Sequence, residues 1–412
     1  MAQRRQIPRP DYDDRLDKGL DSPNIKVLTG IRRCGKSTLL SMLVERIRKE
    51  GFPQSNIFYR RFDQFGMPVN PDAEWLLSEL DAAKREADPN LPLRVFLDEI
   101  QEVKGWEKVV RQLHTDSSFD VFITGSNAYV LSSDLSTFLA GRYERIEVYP
   151  LSFREYLRFA HEAVECPWDD ETLLRRYMTY GGMPGLFELP FADQQAVSDE
   201  LTTLFDAIIL NDVARRSSIS DMDLLTKLIR YVYSTSGSLF STKKVSDALT
   251  SMGRKVKPET VDNYLVSLVR AFALYECEQE GLVGKRLLRP MRKFYPADTG
   301  FRNLPSGFAG SDIGFQLENV VYLELRRRGY SPFVGALPGS EIDFVAKRGN
   351  ERVYLQVSAS LLDEGVYRRE VAPLESVKNA FPKTILVLDG WREGYTDSGV
   401  RIQRLLDWLL DQ

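Results

Sequence analysis

Short apolar runs alternate with helical patterns over the first third of the chain. The apolar runs cover residues 25–29, 56–62, 93–100, 119–125 and 145–150. Between them apolar residues recur every three or four positions, most clearly from Ser37 to Lys49. Strands that alternate with helices are typical of βαβ units with a parallel sheet. The pattern therefore predicts one α/β domain over residues 21–150.

The pattern changes after residue 150. Residues 152–235 are almost entirely helical in pattern, with a turn at the Gly-Gly-Met-Pro-Gly stretch 181–185. Two further helical candidates and a strand-like run at 273–278 are typical of a winged helix-turn-helix. From about residue 284 helical and strand-like runs mix again. We predict five parts: an N-terminal segment 1–20, the core 21–150, a helical part 151–220, a winged helix 221–283, and an α/β domain 284–412.

Composition narrows the class of protein. The chain has 412 residues and a formal net charge of −4, which excludes a uniformly basic nucleic-acid coat. Three separated cysteines and two histidines argue against a disulfide framework and against histidine-rich metal sites. No apolar run approaches a membrane span, and the first residues lack the apolar part of a signal peptide. We expect a cytoplasmic protein without membrane contact.

The clearest motif lies between the first predicted strand and its helix. Residues 30–37, Gly-Ile-Arg-Arg-Cys-Gly-Lys-Ser, match the phosphate-binding pattern G-x-x-x-x-G-K-[ST]. Glycines let backbone N–H groups surround a phosphate, and a helix N-terminus adds its dipole. Lys36 would neutralise the β- and γ-phosphates, and Ser37 would bind Mg²⁺. The residues expected at the nucleotide are Gly30, Ile31, Arg32, Arg33, Cys34, Gly35, Lys36, Ser37 and Thr38.

Polar side chains also end two of the other predicted strands. Asp98 and Glu99 follow an apolar run, and Ser126 and Asn127 follow the next one. We expect Asp98 to hold Mg²⁺ and Glu99 to polarise the attacking water. Either Ser126 or Asn127 would reach the γ-phosphate or that water, and the residues do not decide between them.

Two arginines precede the last strand of the core. Arg142 and, second to it, Arg145 are candidates for an arginine finger, which would act on the nucleotide of a neighbouring subunit. The alternative is that both form surface salt bridges.

These motifs together resemble a known family. GIRRCGKST, VFLDEIQ, ITGSN and LAGRYERIEVYPLSFREYL resemble the AAA+ ATPases of the AAA_14 type, of which many carry a C-terminal DUF4143 domain. YGGMPG, KFYPADTGFRN, LENVVYLELRRRGY, EIDFVAK and YLQVS also look like that family. The resemblance implies a five-stranded core, a helical lid at 151–220, Mg-ATP hydrolysis and a winged helix. It also implies a restriction-endonuclease-like end and assembly into rings, often hexamers.

The C-terminal part carries an incomplete nuclease pattern. Glu318, Glu341, Asp343, Gln356 and Ser358 lie where PD-(D/E)XK enzymes place two acids and a lysine. A neutral amide replaces one carboxylate, and the pattern lacks its lysine. We expect a remnant that recognises DNA or a partner without cleaving; an ATP-gated nuclease is the alternative.

Local basic clusters favour nucleic acid despite the acidic total. The candidate DNA contacts are Lys257, Lys285, Arg286, Arg289, Arg292 and Lys293. The alternative is a solvated face or an interface within a ring.

The sequence therefore predicts an AAA+ ATPase that couples Mg-ATP turnover to DNA binding or remodelling, as a homo-oligomer. A nucleotide switch that acts on a protein partner without DNA is the second hypothesis.

Overall fold

A computed structural model gives the fold of the chain. It describes residues 6–128, 142–215, 217, 219, 221–281, 291–308, 313–390 and 394–411. The chain forms two compact units, residues 1–149 with 270–272, and residues 150–269 with 273–412. Each unit is described by itself.

The first unit is built on a five-stranded parallel sheet. Its strands are β1 (Ile25–Thr29), β2 (Ile57–Arg61), β3 (Leu93–Asp98), β4 (Phe119–Gly125) and β5 (Tyr143–Glu147). Their order in the sheet is β2-β3-β4-β1-β5, and all four neighbouring pairs are parallel. The helices are α1 (Pro10–Gly19), α2 (Lys36–Lys49), α3 (Ala73–Glu86) and α4 (Trp106–His114). The predicted α/β class with a parallel sheet is confirmed.

The central strands of this sheet are buried, which explains why they read as apolar runs in the sequence. Every residue of β1 and β3 is buried, as expected for a parallel sheet with structure on both faces. Three charged residues of these two strands are buried as well, Lys26 of β1 and Arg94 and Asp98 of β3. The ammonium group of Lys26 pairs with buried Asp120 of β4. The carboxyl ends of β1, β3 and β4 lie side by side, which brings three of the predicted motifs to one edge.

The second unit begins with helices. They are α5 (Phe153–Ala163), α6 (Asp170–Tyr180), α7 (Gln194–Ala207), α8 (Met222–Ser234), α9 (Thr242–Ser251) and α10 (Pro258–Arg270), with shorter or later helices α11 (Thr299–Asn303), α12 (Ile313–Arg327), α13 (Glu364–Ser376) and α14 (Leu405–Leu410). Residues Ile208–Arg215 continue α7 as a π-helix. The long helical run in the sequence therefore contains a change to wider turns, which keeps Ile208 and Val213 buried.

An eight-stranded mixed sheet completes the second unit. Its strands are β6 (Leu274–Gly281), β7 (Arg292–Pro296), β8 (Ser331–Leu337), β9 (Ser340–Arg348), β10 (Glu351–Ser358), β11 (Lys383–Val387), β12 (Gly394–Tyr395) and β13 (Arg401–Arg404). Their order is β12-β13-β11-β10-β9-β8-β6-β7. The apolar face of β9, β10 and β11 packs with α13 in one buried cluster.

Helices α9 and α10 precede an antiparallel pair of strands. β6 pairs with β7, and Phe240 forms an isolated antiparallel bridge with Arg292 of β7. The segment 282–290 between β6 and β7 lies outside the described residues.

Two glycine-containing motifs of the sequence meet in this unit. The carboxylate of Asp298 accepts hydrogen bonds from the backbone N–H of Gly182 (2.7 Å) and of Gly300 (2.8 Å). A Cβ at Gly181, whose φ is +79°, would lie 1.7 Å from the Asp298 carboxylate. The YGGMPG and PADTGF stretches therefore form one joint between the end of α6 and the start of α11.

Among the residues that the structure describes, no helix combines the length and the apolar character needed to span a membrane.

Candidate nucleotide site

The predicted phosphate-binding loop connects β1 to α2. Gly30 has a φ of +145° and a Cβ there would lie 2.1 Å from the backbone oxygen of Val148. Gly35 also has positive φ, +107°, and immediately precedes the first residue of α2, Lys36. Glycine is needed at both positions, once for lack of space and once for backbone conformation. The loop therefore places the N-terminus of a fourteen-residue helix at the sheet edge.

Lys36 turns back over the loop. Its Nζ donates to the backbone oxygens of Gly30 (2.9 Å) and Ile31 (3.1 Å), and the residue is buried. The ammonium group therefore lies inside the curve of the loop, where a phosphate would be neutralised. Ile31 and Cys34 are buried, whereas Arg33 and Thr38 are exposed.

The thiol of Cys34 is wholly enclosed within the loop. Burial raises the pKa of this thiol, and this outweighs the opposing charges of Lys36 and Arg9. A raised pKa disfavours the reactive thiolate. Cys34 therefore fills space in the loop.

Asp98 meets Ser37 at the same edge. Its Oδ1 accepts hydrogen bonds from the hydroxyls of Ser37 (3.0 Å) and Thr124 (2.5 Å). Its Oδ2 is buried and, within the described residues, lacks a hydrogen-bond partner; Arg61 Nε lies 3.7 Å away. Burial raises the pKa of Asp98, opposed by these hydrogen bonds and by the charge of Arg61.

The donor set at Asp98 suits a magnesium ion. A hydroxyl and a carboxylate oxygen 3.0 Å apart are hard ligands of the kind that Mg²⁺ takes alongside phosphate oxygens. The buried Oδ2 adds an acceptor with remaining capacity. The residues present therefore fit the ion that the sequence predicts.

Glu99 follows Asp98 in a left-handed backbone conformation. Its φ is +57°, which is uncommon for a non-glycine residue. Its N–H donates to Thr124 Oγ1 (2.9 Å), and its carboxylate accepts from the side chain of Gln101. The hydroxyl of Thr124 donates to the carboxylate of Asp98 and accepts from the N–H of Glu99, so it connects the two acidic residues. The half-buried Glu99 side chain stays accessible at the sheet edge.

Ser126 and Asn127 follow β4, next to Thr124. Both are buried, and both make polar contacts within the protein. They lie at the end of the strand that neighbours both β1 and β3, and their contact with the γ-phosphate stays a prediction. The choice between them stays open.

Arg142 immediately precedes β5 and Arg145 lies in it. β5 is the edge strand of the sheet, next to β1. Both arginines are exposed, and Arg145 pairs with Glu147 at 2.7 Å. The surface salt bridge weighed for these arginines is therefore present for Arg145. Arg142 keeps its exposed position at the start of β5.

Comparison with known proteins gives the family. Residues 22–157 match the AAA domain AAA_14, and residues 171–312 match a domain of unknown function, DUF8612. An uncharacterized protein of Haemophilus influenzae is 34% identical over 406 residues, 98% of each chain. The solved structure of a Walker-type ATPase of Pyrococcus abyssi has the same fold at a TM-score of 0.52 and 15% identity; the match covers 74% of this chain and 99% of that one. The chain therefore contains an AAA domain of the AAA_14 type, and it belongs to one family with the Haemophilus influenzae protein.

The family extends to archaea over most of the chain. An uncharacterized protein of Methanocaldococcus jannaschii is 30% identical over 369 residues, 87% of this chain and 80% of that protein. The DUF4143 and nuclease-like assignments of the second half stay predictions, because the family that matches there is DUF8612.

The second unit brings several of the nuclease-pattern residues together. Glu318 of α12 and Glu341 of β9 both contact Lys293 Nζ, at 3.2 Å and 2.9 Å. Asp343 accepts from the N–H of Val357 (2.9 Å), and its own N–H donates to Gln356 (3.3 Å). Ser358 bonds instead to the backbone of Ser360.

A lysine therefore lies in this cluster after all, supplied by β7. The sequence pattern lacked it because Lys293 is far from the motif along the chain. Burial alone lowers the pKa of Lys293, but the carboxylates of Glu318, Asp343 and Glu341 outweigh it and raise that pKa. In the part of the chain that is described, no three His, Cys, Asp or Glu side chains are arranged to hold a metal ion.

The predicted DNA contacts need one correction. Lys293 is 1% exposed and enclosed by carboxylates, so it is not a surface contact for phosphate. Arg292 is paired with Asp262 and with Glu276, whereas Lys257 is exposed. Lys285, Arg286 and Arg289 lie outside the described residues.

Two further residues, Arg61 and Thr124, lie at the site although no sequence motif predicted them there. Arg61 is the register partner of Asp98 in the β2–β3 ladder. Thr124 stood in the quoted ITGSN stretch, and its place at the end of a strand was the signal that could have identified it.

Proposed function

We propose that the protein is a magnesium-dependent ATPase that couples ATP hydrolysis to DNA binding. The observation that supports hydrolysis most directly is the meeting of Ser37 and Asp98 at the phosphate-binding loop, at 3.0 Å. Glu99 lies next to them on the same sheet edge. A protein that only binds nucleotide needs the loop, whereas this arrangement also supplies a carboxylate for activating water.

Each residue has a distinct task in this proposal. Backbone N–H groups of the loop and the ammonium group of Lys36 bind the phosphates. Ser37 and Asp98 hold Mg²⁺, which when bound neutralises charge that develops on the phosphate oxygens. Glu99 orients the attacking water and accepts its proton. Thr124 keeps the backbone of Glu99 in place through its 2.9 Å hydrogen bond.

An isosteric substitution that removes the charge isolates the role of the Glu99 carboxylate. The Glu99→Gln variant should bind ATP as the wild type does and lose turnover by about 100-fold or more, since general-base catalysis contributes 10²–10⁴-fold. Glu102→Gln changes an exposed carboxylate on the same turn and should leave turnover unchanged. Phosphate release and binding of labelled nucleotide measure the two effects. Full turnover in Glu99→Gln would remove Glu99 from this role.

The proposal that the protein binds DNA is supported by the elements that follow α8. The bridge residue Phe240 is followed along the chain by helices α9 and α10 and then by the antiparallel strands β6 and β7, the order typical of a winged helix. Four exposed lysines lie in this region: Lys243 and Lys244 in the first turn of α9, and Lys255 and Lys257 between α9 and α10. Together they offer a local positive surface on an acidic protein.

Salt dependence tests the DNA proposal. Affinity for duplex DNA should fall steeply as salt rises, and replacing Lys255 and Lys257 by Gln should reduce the slope of log K against log salt by about 2. Replacing Lys227, which pairs with Asp223 on α8, should leave the slope unchanged. Affinity that is independent of salt would contradict the proposal.

A specific observation favours the second hypothesis, a nucleotide switch for a protein partner. The start of α10, which would face a DNA groove, carries Glu259 and Asp262, and acidic side chains repel phosphate. ATP turnover stimulated by duplex or forked DNA supports the first hypothesis. Turnover stimulated only by a protein partner supports the second.

We propose that the second unit does not cleave DNA. Gln356 stands where a carboxylate is needed, and Lys293 neutralises Glu318 and Glu341. Nicking of DNA with Mg²⁺ or Mn²⁺ that disappears in Asp343→Ala would establish the ATP-gated nuclease instead.

A further inference from the structure

The N-terminal segment lies directly against the phosphate-binding loop. Arg9 is almost fully buried, and its guanidinium group donates to two backbone oxygens. Nη1 bonds the oxygen of Cys34 inside the loop at 3.0 Å, and Nη2 bonds the oxygen of Tyr149 after β5 at 3.0 Å. The same group lies 4.4 Å from the centre of the Tyr12 ring. One side chain thus joins three parts of the first unit.

The bond to Cys34 has a consequence for the next peptide group. In a trans peptide the C=O and the following N–H point in opposite directions. Since Arg9 draws the Cys34 oxygen toward the N-terminal segment, the N–H of Gly35 points to the other side of the loop. Gly35 precedes α2, where backbone N–H groups face a bound phosphate. Arg9 therefore orients a donor that it does not touch.

A second contact keeps the anchor of Arg9 in place. The N–H of Tyr149 donates to the hydroxyl of Tyr12 (3.0 Å), and the N–H of Val148 donates to the oxygen of Thr29 (2.7 Å). Thr29 is the last residue of β1, immediately before the loop. Val148 and Tyr149, which follow β5, are therefore hydrogen-bonded to β1 and to Tyr12. Arg9 connects them to the loop.

We propose that Arg9 is a positioning residue for nucleotide binding, which holds the Cys34–Gly35 peptide in the orientation that a phosphate requires. This inference rests on the proposed function of the loop. It gives the N-terminal segment 6–20 a role in the nucleotide site that no motif in its sequence predicts.

Two methionine variants of the full chain test the inference. Arg9→Met removes the hydrogen bonds to the oxygens of Cys34 and Tyr149. Arg15→Met removes an exposed arginine of α1, the helix that follows Arg9, which bonds the backbone oxygen of Arg145 at 3.1 Å. The probe is fluorescently labelled ADP. Arg9→Met should raise its Kd about tenfold or more, since a hydrogen bond to a charged group is worth about one to two powers of ten in binding. Arg15→Met should stay within about twofold of the wild type.

Separate measurements of kcat and KM distinguish a positioning role of Arg9 from loss of folded structure. At saturating ATP, Arg9→Met should retain kcat within about threefold while its KM rises with the Kd. A wild-type Kd in a folded Arg9→Met variant would overturn the inference and leave the ATPase proposal intact. A wild type that binds no nucleotide would overturn the proposed function first.

A milder variant decides the matter if Arg9→Met does not fold. Arg9→Lys keeps the charge but has no planar fork for two oxygens. Its Kd should rise by about threefold or more, with a melting temperature near that of the wild type. An unchanged Kd in Arg9→Lys would then overturn the inference.

Discussion

Lys293 shows how strongly a single buried charge depends on its partners. It stands between Glu318 and Glu341, and both contacts are shorter than 3.5 Å. Removing one partner of a buried ion pair costs more than the pair contributes, because the remaining charges lose their neutralisation. The cluster therefore links β7, α12 and β9 through charge as well as through packing.

We expect Lys293→Met to lower the free energy of unfolding of the second unit by about 3 kcal/mol. The control Arg368→Met removes an exposed pair with Glu364 and should cost at most about 0.5 kcal/mol. Urea denaturation followed by circular dichroism measures both. Equal stability of Lys293→Met and wild type would contradict the proposed charge balance.

Asp298 supplies a prediction about pH. Burial raises its pKa to about 6 from the ordinary 3.8, against the hydrogen bonds from Gly182 and Gly300. Between these two pKa values the folded state keeps a proton on Asp298, whereas the unfolded state has lost it. The free energy of unfolding therefore falls as pH rises from about 4 to about 6.

The Asp298→Asn variant should lack this contribution. The melting temperature of the variant should therefore rise relative to that of the wild type as pH increases from about 4 to about 6. A pH-independent difference caused by the amide does not change this trend. Melting curves at half-unit steps of pH measure the difference. Two parallel profiles would show that Asp298 does not titrate there.

Single residues could be predicted from the sequence where a short motif encodes them. Lys36, Ser37, Asp98 and Glu99 are recognisable because their chemistry requires neighbours at fixed spacing. Arg9 could not be found this way, since its partner Cys34 is 25 residues distant and offers only a backbone oxygen. Such a contact leaves no pattern in the sequence.

Among the elements, the end of α6 depends on a side chain from another helix. The amide of Asn303, the last residue of α11, donates to the oxygens of Met178 (3.0 Å) and Thr179 (2.7 Å). The last carbonyls of a helix lack partners within it. Asn303 therefore completes α6 from outside.

We expect Asn303→Ala to destabilise the second unit by about 2 kcal/mol, because two enclosed carbonyl oxygens lose their donor. Thr202→Ala on α7 removes an exposed hydroxyl that bonds its own helix and serves as the matched control. Thermal unfolding monitored at 222 nm compares the two. A shift no larger than that of Thr202→Ala would show that water replaces the amide.

Elements were predicted best where periodicity is strong. The predicted helix from Ser37 to Lys49 begins one residue earlier, at Lys36. The predicted strand 145–150 instead ends at Glu147, since apolar residues such as Val148 can be buried without belonging to a strand. The change from α7 to a π-helix has no signature in the apolar pattern.

For the whole molecule, the exposed Arg142 yields a test of assembly. If it acts on a neighbouring subunit, a site needs Glu99 from one chain and Arg142 from another. Mixing the inactive variants Glu99→Gln and Arg142→Ala should then restore turnover, because some interfaces regain both residues. Phosphate release from the mixture measures it, with each variant alone as control. A mixture no more active than its components would assign Arg142 to the surface.

The order of strands also bears on how the protein is made. The five-stranded sheet of the first unit needs no strand beyond Glu147. In the second unit, β11 lies between β10 and β13, so its sheet waits for residues up to Arg404. Chains emerge from the ribosome at about 5–20 residues per second. We therefore expect the nucleotide-binding sheet to close co-translationally, while the second unit is still unfinished and open to chaperones.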